Sequence, residues 1–152
     1  MANYGANYEA AYVTVPSTNM GTDSSAVVRR FVDTVASSTT ATVAIDGVIP
    51  VGVKLRPSAR IIACHIESDG NGGSSNCDIH LEVTDGTTTT VLTSARDVNA
   101  GSAVRSDMLP ALALAGGVQL TGGEQTVQFK ATTAAYSTAG GELSVTVDYL
   151  DI

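Results

Sequence analysis

The chain has 152 residues, which is enough for one core, and 43% of them are hydrophobic, too many for a chain that cannot fold. Charged residues make up only 15%, against a usual ~25%, and the net charge is −7, so eight lysines and arginines cannot neutralise many phosphates and nucleic-acid binding is excluded. No apolar run approaches the ~18 residues of a spanning helix, and Met1 to Tyr8 lacks the basic and apolar regions of a Sec signal, so neither a membrane span nor Sec export is expected.

In chain order, residues 1–25 are rich in Asn, Ala, Ser, Thr and Gly and show no sustained apolar alternation, which predicts an N-terminal arm with little core of its own. Tyr4, Tyr8 and Tyr12 lie there at a spacing of four, on one side of either a helix or a strand. They are candidate partner-binding residues, because tyrosine is enriched at interface hot spots. The competing reading is a loose tail or an arm folded back on its own domain.

From residue 26 to 152 the pattern predicts a single β domain. Val27 to Val35 is one strand. Ala41 to Asp46 is a second, with Val43 and Ile45 on one face, and Asp46-Gly47 marks a turn. Val48 to Leu55 is extended but carries Pro50, which argues for an edge or a crossing segment. Arg60 to Glu67 and Cys77 to Thr84 are expected to form a hairpin around a Gly/Asn/Ser-rich loop. Alternation places Ile62, Cys64 and Ile66 on one face and Cys77, Ile79, Leu81 and Val83 on the matching face. His65, Glu67, Asp78, His80 and Glu82 then point outward.

Asp85-Gly86 turns the chain into a strand over Thr89 to Ser94. The stretch from Ser106 to Gly117 reads as a short helix capped by Ser106 and stopped by Gly116, or as an apolar loop plugging one end of a sandwich; a loop with one helical turn is favoured. Val118 to Leu120, Gln125 to Thr132 and Glu142 to Leu150 complete the set. Leu143, Val145, Val147 and Tyr149 share one face of the last strand, and Gly122-Gly123 and Gly140-Gly141 supply turns. About eight short antiparallel strands separated by turns predict an all-β fold, a β-sandwich or jelly-roll-like domain with an extended N-terminal arm.

Chemistry-bearing residues do not assemble into a complete site. Cys64 and Cys77 face inward while His65 and His80 face outward, so the four cannot converge on a zinc ion. A weak metal site of His65, Asp78 and His80 competes with ordinary cross-strand pairing on a solvated face. A Cys64–Cys77 disulfide depends on register, and buried thiols are the favoured state. Asp69-Gly-Asn-Gly-Gly73 has the opening of a calcium loop but lacks an acidic fifth ligand and a Glu at the twelfth position. No nucleophile elbow, phosphate loop or zinc-protease helix is present, and Glu67 and Glu82 have no reason to meet as a glycosidase pair. The expectation is a protein that is not an enzyme, with no catalytic, cofactor-binding or metal-binding residues and no cofactor.

One resemblance extends this reading. The segment Val48-Ile-Pro-Val-Gly-Val-Lys-Leu-Arg-Pro-Ser-Ala-Arg-Ile-Ile-Ala-Cys-His-Ile-Glu, the Gly/Asn/Ser-rich loop after it, and the closing Gly-Gly-Glu-Leu-Ser-Val-Thr-Val-Asp-Tyr149 together resemble tailed-bacteriophage head decoration, or capsid cement, proteins. The likeness covers residues 27–152 and carries over no individual site residue. It implies a virion structural protein, made in the host cytoplasm, that binds the outer capsid surface and stabilises the major capsid protein beneath. Self-association is compatible with it, trimers above all, because capsids present many three-fold sites. The negative charge agrees with an outer position, since phosphate repulsion opposes one facing packaged DNA. Two other functions stay open: a tail, fibre or head-spike domain that binds a host receptor or glycan, and a cellular carbohydrate-binding module.

Overall fold

The structure is a computed structural model that describes residues 5, 9–12, 27–35, 42–71, 76–137 and 141–151. Its strands follow from two-residue alternation. In β13 (Leu143–Asp151), Leu143, Val145 and Val147 are fully buried while Ser144, Thr146 and Asp148 are not. In β2 (Val27–Val35), Phe31, Asp33 and Val35 point inward, and Val28, Arg30 and Val32 point outward.

The remaining elements are β1 (Glu9–Tyr12), β3 (Thr42–Val43), β4 (Val48–Leu55), β5 (Arg60–Ser68), β6 (Asp78–Thr84), β7 (Thr89–Val91), β8 (Arg96–Asp97), β9 (Val104–Asp107), α1 (Pro110–Leu114), β10 (Val118–Gln119), β11 (Gln125–Ala131) and β12 (Tyr136–Ser137). One sheet runs β1-β4-β11-β6-β7, with β8 also on β6. The other runs β10-β5-β13-β2, with β9 also on β5, and β3 pairs β12 in a small third sheet. Among the described residues all pairings are antiparallel except that of β1 with β4. The two large sheets enclose one core, as a β-sandwich does. Ile49, Val51 and Leu55 of β4, Ile79, Leu81 and Val83 of β6, and Val127 and Phe129 of β11 meet Ile61, Ile66, Val145 and Val147 of the opposite sheet. Each such buried side chain contributes roughly 1.5–3 kcal/mol relative to exposure.

Several expectations need correction. β5 and β6 are not a hairpin. β5 pairs with β13, β9 and β10, whereas β6 pairs with β11, β7 and β8, so the loop between them crosses from one sheet to the other. Ile62 is not a core residue. The register with β13 slips where Asp148 faces Ala63 and Tyr149 faces Ile61, leaving Ile62 as the extra residue of a bulge. The bulge changes the phase, so Ile61 is buried and Ile62 and Ala63 are not, while Cys64 and Ile66 keep their inward face. Ile45 does not share the inward face of Val43, because it lies in the Asp46-Gly47 turn and is half exposed. Glu82, expected in solvent, is on the outer face but only 5% exposed.

Ser106 caps no helix. It belongs to β9, where its hydroxyl donates to the Ser94 carbonyl at 2.8 Å. The single helical turn expected nearby is α1, and it lies on the surface rather than plugging the sandwich. Gly140 and the Gly-rich tip at 72–75 lie outside the described residues.

Candidate partner-binding surface

Three surfaces could meet a partner: the seat of the arm and the two outer sheet faces. Among the described residues the arm contributes one strand, β1. β1 pairs in parallel with β4 of the same chain, Glu9 opposite Val53 and Tyr12 opposite Lys54. Upstream of it, the Gly5 N–H donates to the Pro50 carbonyl at 2.9 Å. Proline has no N–H for a ladder, and β4 tolerates it because only β11 completes a full antiparallel pairing there. Tyr4 and Tyr8 lie outside the described residues, and of the tyrosine strip the structure places Tyr12, in β1.

The seat is built around Asp33, which sequence reasoning did not single out. Its carboxylate is fully buried between the sheets. One oxygen accepts the Gly52 N–H at 2.8 Å and the other accepts the Thr34 N–H at 2.8 Å. Charge-assisted bonds of this kind are the strong ones, and they are needed because a buried carboxylate without donors is costly. Gly5 lies directly against the same carboxylate, so closely that a Cβ at position 5 would collide with it. Gly52 has φ +65 and presses its backbone on the Phe31 ring, so a Cβ there would also collide. The signal was available in the sequence: Asp33 is in phase with Phe31 and Val35, the wrong face for an ordinary aspartate.

On the outer face of the β5–β13–β2 sheet, charges are matched within the chain. Arg30 and Asp148 are direct cross-strand partners and form a two-pronged bond at 2.6 and 2.9 Å. That hydrogen bonding holds the Asp148 carboxyl below its ordinary range. Arg105 bonds Asp107 and Glu67, each at 2.9 Å, and His65 stands 3.7 Å from Glu67. Between these pairs lies a shallow cavity of about 270 Å³, bordered by Arg30, His65, Arg105, Asp148 and Ala113.

The opposite outer face carries His80 and Glu82, 2.8 Å apart, with Gln128 donating to the second Glu82 oxygen at 2.7 Å. His65 and His80 are thus on different sheets, as are Glu67 and Glu82. This separation rules out the His65–Asp78–His80 metal site and the glycosidase pair. Among the described residues no cluster of His, Cys, Asp or Glu is placed to hold a metal ion. At the calcium-like loop, an Asp69 oxygen accepts the Asn71 N–H at 3.0 Å, so the carboxylate turns into its own loop.

Cys64 and Cys77 are both buried and unbridged. Burial pushes the Cys64 thiol up to about 12, reinforced by Asp107, and pushes Cys77 up to about 11, reinforced by Asp97 and Asp78. We expect a thiol reagent at pH 8 to modify neither residue until denaturant is added. The folded state also keeps these protons where an unfolded chain, with thiols near 9.0, has released them. Stability should therefore fall as pH rises from about 9 toward 11. Urea midpoints across that range check this, and a Cys64→Ala, Cys77→Ala variant should show a shallower decline.

No family model matches the chain, and no curated protein matches it. Among solved structures, a chain from the capsid of Ralstonia phage GP4 superposes with a TM-score of 0.57, at 17% identity, over 93% of this chain and 91% of that one. The two share a fold. A chain of the cyanophage Pam1 capsid asymmetric unit aligns at 20% identity over 93% and 94% of the chains, with a TM-score of 0.46. The periplasmic g-type lysozyme inhibitor of Aeromonas hydrophila aligns at 12% identity over 99% and 98%, with a TM-score of 0.34. Of these three, the GP4 capsid chain superposes closely enough for a fold assignment.

Proposed function

We propose that this protein is a non-enzymatic virion structural component that binds the outer surface of a phage capsid and stabilises contacts between major capsid subunits. The observation that carries the reading is the fold shared with a GP4 capsid chain over nearly the whole length of both. Surface chemistry supports it. Few residues are charged, and on the β5–β13–β2 face Arg30 and Arg105 are already paired with carboxylates, which lowers the cost of covering it. The net charge of −7 favours an external position over one facing DNA. Within this reading the arm segment with Tyr4, Tyr8 and Tyr12 is a contact with a neighbouring subunit, and the β1–β4 pairing is the position it occupies in the isolated chain.

Purified heads provide the test. Mass spectrometry should find the chain in many copies per particle, and electron microscopy should place its density outside the shell. A head preparation without the chain, or density confined to the tail, would overturn the proposal.

A further inference from the structure

The segment from Leu109 to Val118 reads Leu-Pro-Ala-Leu-Ala-Leu-Ala-Gly-Gly-Val, ten residues without a polar side chain. Such a run normally supplies core. Here none of the α1 residues is buried, and Leu114 is 90% exposed. Five residues are far too few for a helix to persist alone, and no side chain caps its N-terminus.

The turn is held from outside instead. Arg60 of β5 reaches over and donates to the Gly116 carbonyl at 2.7 Å and the Ala115 carbonyl at 3.0 Å. Gly116 and Gly117, at φ +80 and +99, return their N–H groups to Ala113 and Leu112 at 3.0 and 2.9 Å. Gly117 packs so tightly on the Ile61 carbonyl that no Cβ fits. The Leu109 N–H bonds the Leu92 carbonyl at 2.8 Å, and Leu112 leans on the core. An arginine, two left-handed glycines, a set of backbone bonds and the half-buried Leu112 thus fix an apolar turn whose Leu114 is left in solvent. A preorganised aliphatic group loses little entropy on binding, which is the property of an interface anchor.

We infer that α1, with Leu114 at its tip, is an anchor that enters an apolar pocket on a capsid subunit. This rests on the proposed virion role. Capsid is favoured over a second copy for two reasons. Two copies each carry −7 and repel. One short turn also offers far less than the ~800 Å² per partner that a stable dimer buries. On a shell the same small contact is sufficient, because arm and anchor bind together and raise each other's effective concentration. The neighbouring Arg30–Asp148 and Arg105–Asp107 pairs form the polar rim that surrounds such anchors.

The test uses heads lacking this protein and the purified full chain. Binding by co-sedimentation is compared for the wild type, Leu114→Gln, Leu114→Ala and, as a control, Ile45→Ser, which removes an exposed apolar side chain elsewhere. Glutamine keeps helix propensity while removing apolar surface. We expect wild type and Ile45→Ser to bind alike and Leu114→Gln to lose at least about tenfold in affinity, with Leu114→Ala weakened in the same direction and all unfolding midpoints unchanged. Equal binding by both Leu114 variants overturns the anchor and leaves the virion role standing. Failure of the wild type to bind heads overturns both. A wild-type dimer in sedimentation that Leu114→Gln dissolves gives the anchor to a second copy and overturns the capsid assignment.

Discussion

Replacing Gly52 with alanine should remove about 2–5 kcal/mol of stability, combining the cost of left-handed backbone with overpacking. The backbone at φ +65 is unfavourable for any L side chain, and the new methyl would overlap the Phe31 ring. Phe31 has little room to yield, since it is buried and its ring lies 6.3 Å from that of Tyr149 at 52°. Chemical denaturation measures the loss as a lower midpoint with an unchanged slope. An alanine variant as stable as wild type would mean that β4 does not make the left-handed turn at this position.

Asp33→Ala should lose about 3 kcal/mol, because buried donors left without an acceptor cost about 1–3 kcal/mol each. The buried Gly52 N–H and the half-buried Thr34 N–H both lose their acceptor. The same substitution removes the surface on which Gly5 rests, so exchange of the Gly5 amide should speed up more than global unfolding requires. Asp33→Asn preserves volume and one acceptor, and should fall between the two. If Asp33→Ala leaves both stability and Gly5 exchange within error of wild type, the carboxylate does not hold the two sheets and the arm together.

How much of this was legible in the sequence depends on whether the signal is local. The alternation of Phe31, Asp33 and Val35, and of Leu143, Val145 and Val147, is set within a few residues, and those strands form where the pattern places them. The Cys77 to Val83 face also points inward as alternation requires. Pairing is different, because it is decided by distant segments. β5 and β6 look like a hairpin from composition alone, yet β5 is claimed by β13 and β6 by β11. The bulge at Ile62 has no marker, since Ile61, Ala63 and Cys64 beside it are all aliphatic or small.

The helical turn of α1 was legible, but its exposure was not, for a related reason. An apolar run announces burial without saying whether its cover lies in the same chain. Glu82 is the converse: its place in the alternation correctly gave the outer face, but the shielding comes from His80 and Gln128, long neighbours on the same surface.

The position of β13 also dictates an order of events during synthesis. β13 lies between β2 and β5, so those two strands have no direct pairing and each waits for residues 143–151 before its ladder is complete. Until the ribosome has delivered that segment, the growing chain displays two strand borders lined with Val and Ile, the kind of template on which chains stick to one another. A product stopped short of Leu143 would therefore be expected in inclusion bodies rather than as a loosened version of the native domain.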